Sequence, residues 1–273
     1  MKLNKFAAVL AASSMFASGA AMAEAFYLVA PDDKGGGTTS NMTSFSANWL
    51  ANSVYDPGLD GVVSAGDSVT DSVIKDYTLE GVTFLNYFGQ LGAIPDLFTT
   101  AGFGSTWGLY FDYEISGTVL SVGGTGSSIL AAYDAGTVNI YYDDFGGRVE
   151  GNAARDPSAD LKVMSVDITG SGGDVANFLL YGTVTDVEED FFYFADDVDF
   201  ASLIGAGFSI EMRVDTNLDT DIIPALQDDG TFARTSDLDG SVRFNRVPEP
   251  GVLALLGIGL IGLGAARRMK NAA

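Results

Sequence analysis

The sequence predicts an all-β fold, an antiparallel β-sandwich or jelly-roll-like domain. In Phe208-Ser209-Ile210-Glu211-Met212-Arg213-Val214 the apolar side chains fall on every second residue, and Leu109, Phe111, Tyr113 and Ile115 alternate with Tyr110, Asp112 and Glu114. A period of two gives each segment one dry and one wet face, as a half-buried strand requires. Such segments are short and bounded by Gly, Asp, Asn or Pro, and stretches of helical period are scarce.

In chain order the first segment is not part of that domain. Lys2 and Lys5 precede an apolar stretch from Phe6 to Phe16, and Ala21-Met22-Ala23 places small residues where a signal peptidase inspects them. Residues 1–23 therefore read as a signal peptide cut after Ala23, since the apolar run is shorter than the roughly 20 residues that span a bilayer. Strands are expected at Ala25–Ala30, Tyr77–Phe88, Leu109–Ile115, Thr137–Tyr142, Leu161–Ile168, Asn177–Val187, Phe208–Val214 and Ser241–Val247. Phe45–Val54 and Asp197–Ile204 carry the best helical spacing, and the glycine-rich pieces Gly35–Asn41 and Gly123–Ser128 read as loops. Residues 24–246 form one β-rich acidic ectodomain, and 247–273 form a separate C-terminal segment.

Composition limits the chemistry. The 273 residues carry 36 acidic against 14 basic side chains, a net charge of −22, with no cysteine and no histidine. Disulfides, thiolate nucleophiles, the usual neutral-pH general base and the commonest zinc ligand are all excluded. Residues 24–246 hold 35 acidic and 9 basic groups, a net of −26. Such a surface repels nucleic acid, whose phosphates need lysine and arginine partners, and attracts cations.

The C-terminal segment reads VPEPGVLALLGIGLIGLGAARRMKNAA. Its apolar run, Gly251–Ala266, makes about 24 Å of helix against a hydrocarbon core of about 30 Å, so it inserts as a marginal membrane helix. Arg267, Arg268 and Lys270 follow it and orient the C-terminus toward the cytoplasm. Pro248 and Pro250 keep regular structure from running out of the last strand into that helix. Gly257 to Gly262 spell G-x-G-x-x-G, but no preceding strand or βαβ unit supports a dinucleotide site, and small residues suit close helix contact in a membrane.

Val247-Pro248-Glu249-Pro250, the apolar run and Arg267-Arg268, in that order, resemble the PEP-CTERM sorting signal of Gram-negative bacteria. The resemblance implies recognition by exosortase, an integral membrane cysteine protease, processing near Pro248 to Pro250, and delivery to the cell surface or to an exopolysaccharide matrix. Membrane contact is then transient, and exosortase, signal peptidase and the matrix are the expected partners. More loosely, the order of FSIEMRV (Phe208–Val214), an Asp-rich turn, strand Ser241–Val247 and Val-Pro-Glu-Pro is similar to flocculation-associated PEP-CTERM proteins. That likeness implies cells held in aggregates and transfers no catalytic residue.

Three ectodomain features invite chemistry. Asp215, Asn217, Asp219 and Asp221 put oxygen side chains on alternate residues after the strand ending at Val214, as a calcium loop opens. Thr220 and Leu226 stand where an EF-hand needs glycine and glutamate, which leaves a non-EF calcium site completed by Asp228 or Asp229, or a solvated acidic turn. Glu114 and Glu211, if they met on one sheet face, would supply the carboxylate pair of a glycosidase. Trp107, beside Gly102–Gly104, is the candidate polysaccharide contact, while Phe191-Phe192-Tyr193-Phe194 suits core filling. The expected function is a non-enzymatic, exported matrix protein promoting aggregation. The alternatives are a carboxylate-dependent glycosidase or lyase, and a calcium-dependent carbohydrate-binding module.

Overall fold

The computed structural model describes residues 24–31, 37–74, 76–79, 82–85, 88, 102–103, 107–123, 128–144, 161–174, 177–206, 208–218 and 222–248. The signal segment 1–23 with Ala21 and Ala23, and the tail from Glu249 with Pro250, the apolar run, Arg267 and Arg268, lie outside the described residues. Among the described residues no helix is long and apolar enough to cross a membrane.

The all-β expectation holds. The strands are β1 (Phe26–Ala30), β2 (Gly37–Thr38), β3 (Phe45–Asp56), β4 (Ser68–Val73), β5 (Asp76–Leu79), β6 (Val82–Leu85), β7 (Trp107–Gly123), β8 (Ser128–Asp144), β9 (Leu161–Gly173), β10 (Asn177–Val187), β11 (Phe192–Phe194), β12 (Phe208–Leu218), β13 (Ala225–Leu226) and β14 (Phe232–Pro248). One 3-10 turn, Ala201–Leu203, lies between β11 and β12. The large sheet runs β12-β10-β9-β8-β7-β4-β3-β14-β13, every pair antiparallel, and β14 also pairs with β12. Eleven residue pairs, from Phe208↔Pro248 to Leu218↔Leu238, make that last ladder. Eight strands thus close into a ring, and the two free edges that an open sandwich would expose are joined to each other.

Alternation fills the interior. β3 buries Phe45, Ala47, Trp49, Ala51, Ser53 and Tyr55 while the residues between them face outward. β12 does the same with Ile210, Met212, Val214 and Thr216. One end of the barrel is plugged by aromatics: Phe26 on β1 meets Phe45 at 5.0 Å and Phe244 at 5.4 Å between ring centroids, and Phe200 meets Phe194 at 4.2 Å. β1 reaches this plug through its own small sheet, β11-β1-β2. Phe191, Phe192 and Phe194 are buried there, in the core role expected of them.

Several element expectations are corrected. Phe45–Val54, read as a helix, is strand β3, because half of its inward positions hold Ala47, Ala51 and Ser53, whose small side chains hide the period of two. Asp197–Ile204 shrinks to the single 3-10 turn, since Asp197 adopts φ 63° in a tight turn whose amide donates to Phe194 O. Tyr77–Phe88 divides into the hairpin β5–β6. β4, with only Val69 and Val73 as apolar signal, is a strand that periodicity did not reveal.

β7 and β8 are 17 residues each and bend at a register shift between Ser116 and Gly117. Gly136, at φ 120°, faces that bulge, and a β-carbon there would collide with the Glu114 carbonyl oxygen.

Phe244→Ala removes the ring on which the plug converges, and we expect a loss of about 3–5 kcal/mol in denaturant unfolding. Leu59→Ala, at a fully exposed turn residue, is expected to stay within about 0.5 kcal/mol.

Candidate functional sites: the sorting terminus and the barrel interior

β14 delivers the chain to the sorting segment. Its residues Phe232–Val242 pair with β3, and the ladder with β12 carries it on to Val247 and Pro248, which stand opposite Ser209 and Phe208. Strand order therefore reaches the proline pair and ends at a residue with no amide hydrogen to donate. Just before it, Arg246 projects its guanidinium over the ring of Phe194, 4.5 Å from the centroid. Its Nε and Nη2 donate to Glu24 Oε2 at 2.7 and 2.6 Å, and Nη1 donates to Asp196 Oδ2 at 2.9 Å. Hydrogen bonds to Glu24 first, and to Asp196, raise the Arg246 pKa further above its ordinary value, and the same contact lowers that of Asp196. Glu24 is the first residue after the expected signal cleavage, so both ends of the mature domain meet at one corner of the barrel.

The interior carries a second site. Register places Arg234, Ser53, Asp71 and Ile115 in one row across β14, β3, β4 and β7. Asp71, 7% exposed, accepts from Ser53 Oγ at 2.5 Å and from Tyr113 OH at 2.7 Å, and Tyr113 in turn accepts from Trp49 Nε1 at 3.2 Å. Burial pushes the Asp71 carboxyl up to about 6, against the lowering pull of those hydrogen bonds and of the Arg234 charge. Burial likewise holds the Tyr113 and Tyr133 hydroxyls well above the ordinary range. These groups border a cavity of about 80 Å³ walled mainly by Phe111, Ile129, Phe178, Met212 and Val214. A cavity of that size is far below the roughly 300 Å³ at which drug-sized ligand pockets begin. Its polar wall is a structural network centred on the Asp71 carboxyl, with a second carboxylate, Asp174, also on the lining.

The other expected sites are placed differently. Asp215 and Asn217 are not in a turn: β12 continues through them, opposite Ser241 and Asp239, and Asp215 pairs with Arg213 at 3.4 Å. Asp219 and Asp221 lie outside the described residues, among which no group of three or more acidic side chains is gathered as a metal site. Trp107, expected to be exposed, is fully buried, packed edge-on against Phe103 at 4.8 Å and beside Tyr142 at 5.4 Å. Glu114 and Glu211 sit on β7 and β12, four strands apart in either direction round the ring, and both face outward. They cannot share a substrate bond. Glu114 instead borders an open polar trough of about 540 Å³ with Thr70, Ser72, Asp112, Thr137 and Asn139 on the outer face of β4, β7 and β8.

The Asp71 site has a measurable signature. A carboxyl with a folded-state pKa of about 6 against 3.8 in the unfolded chain keeps its proton in the folded state while the unfolded chain loses it. Stability from this group is therefore full below about pH 4 and is lost as pH rises through 6, by an amount on the order of 3 kcal/mol. We expect the Asp71 carboxyl carbon to titrate near 6 by NMR. In Asp71→Asn this component of the stability–pH curve should be absent.

No curated protein and no solved structure matches the chain. Comparison with protein families matches residues 246–268, which begin at Arg246, to the PEP-CTERM protein-sorting motif. The chain thus carries the motif of an exported protein that exosortase processes for the cell surface.

Proposed function

We propose that this chain is a non-enzymatic surface or extracellular-matrix protein of a Gram-negative bacterium, exported by its signal peptide, processed by exosortase, and supporting exopolysaccharide-associated aggregation, flocculation or biofilm cohesion. One observation carries the reading: the sorting motif begins inside the last strand of a closed barrel, so the barrel is the cargo that the motif delivers.

The barrel suits a passive extracellular role. Among the described residues, pairing of β12 with β14 closes the two outermost edges of the main ring against strand addition, and a chain with no cysteine is indifferent to the redox state outside the cell. Its net negative charge disfavours nucleic acid and favours polymers that are neutral or that bridge to it through cations. The polar trough around Glu114 and Asn139 offers hydroxyl, amide and carboxylate groups of the kind that hydrogen-bond to sugars. It supports polymer contact better than the buried Trp107. The separation of Glu114 from Glu211 supports the non-enzymatic choice over the glycosidase alternative.

Deleting the gene is expected to leave cells that secrete normal amounts of polysaccharide but settle as smaller, looser flocs, with recovery when the intact gene is restored. Normal flocs in the deletion strain would reject the proposal. Depolymerisation of matrix polysaccharide by the purified protein would reject its non-enzymatic part.

A further inference from the structure

The paired edge of β14 changes partner shortly before the chain leaves the barrel. Its ladder with β3 ends at Val242↔Phe45, while the ladder with β12 on the other edge continues to Pro248↔Phe208. Beyond Val242, among the described residues, the place of β3 is taken by Glu24. Its amide donates to Phe244 O at 3.3 Å, and its carboxylate accepts from the Arg246 amide at 3.4 Å and from the Arg246 side chain at 2.7 and 2.6 Å. Asp196 holds the remaining guanidinium arm, and the ring of Phe194 lies beneath it. A planar guanidinium shared between two carboxylates and an aromatic face is a geometry that lysine could not reproduce. Arg246 is about one-quarter exposed, so these contacts are partly shielded from water.

The three charged partners come from separate parts of the chain. Arg246 opens the matched motif, Glu24 follows the signal peptide, and Asp196 lies in neither. We propose that Glu24 and Asp196 act on Arg246 as a clamp that positions the sorting segment, sealing the last strand through Pro248 so that exosortase processing falls beyond Pro248 on a barrel that stays closed. A protease needs backbone that is exposed and unpaired, and through Pro248 the strand remains paired with β12. In the processing step a peptide bond breaks: the amide nitrogen takes a proton and leaves with the tail, and the acyl carbon takes an oxygen from water or the attacking group of a surface acceptor. The clamp contributes nothing to that chemistry. It fixes the point from which the susceptible segment starts, at the same corner where the signal peptide was attached, so that both membrane-directed segments of the precursor leave the barrel on one side.

This inference rests on the exosortase reading and is tested separately from it. The full-length chain is followed by pulse-chase and mass spectrometry in cells that encode an exosortase. Wild-type product should end at or beyond Pro248, and a mature C-terminus at or before Val247 overturns the proposal. Asp196→Asn, and Asp196→Asn combined with Glu24→Gln, leave the motif intact. We expect the double variant to be processed about threefold more slowly or worse, with signal-peptide removal and the thermal midpoint unchanged. Wild-type processing rates in both variants, with slowing confined to Arg246→Gln, would mean that the enzyme reads Arg246 directly and would overturn the clamp. Complete absence of processing in the wild-type chain would instead remove the exosortase reading itself. The wild-type C-terminus decides the matter even if a variant fails to fold.

Discussion

The ladder between β12 and β14 is the constraint on which the rest of the structure depends. Without its eleven pairs the sheet would have two bare edges, and the apolar faces of β3, β7 and β12 would have no common interior to share. With it, eight strands enclose a core whose in-facing residues come from every strand. The same ladder holds the last strand straight up to Pro248. Closure, core and the presentation of the terminus are therefore one cooperative arrangement, and β14, pairing with β3, β12 and β13, belongs to all three.

That arrangement was legible in its kind and not in its connection. Phe208–Val214 and Leu109–Ile115 announce themselves as strands because large apolar side chains occupy the inward positions. β3 does not, because Ala47, Ala51 and Ser53 share those positions with Phe45, Trp49 and Tyr55, and a small inward residue carries little hydropathy signal. β4 is hidden for a related reason: its middle inward residue is Asp71, a residue type that belongs to turns. Which strand closes on which is a matter of register, and period-two alternation says nothing about register between segments that stand far apart in the chain.

The functional sites divide along the same line. The sorting motif can be read from the sequence because it is a linear signal, contiguous in the chain and marked by proline, apolar run and basic end. The contact of Arg246 with Glu24 joins residues 222 positions apart, and nothing local marks either of them. The glycines near Trp107 predict a surface loop, whereas Phe103, Tyr142 and Phe191 enclose it. The acidic run after Val214 looked like a cation loop because alternation of oxygen side chains is common to calcium turns and to the wet face of a strand. β12 continues through Asn217, and Asp215 stands on its outer side between the buried Val214 and Thr216.

The position of the sorting motif at the end of β14 has a mechanical consequence. A protein held at a surface through its C-terminus takes tension at Pro248, directed along the axis of β14. The backbone hydrogen bonds that join this strand to β3 and β12 lie across that axis, so the pull loads them in shear, many at once, rather than peeling them apart one after another. Fluid drag on the barrel would then act in the orientation in which a β-sheet is hardest to tear.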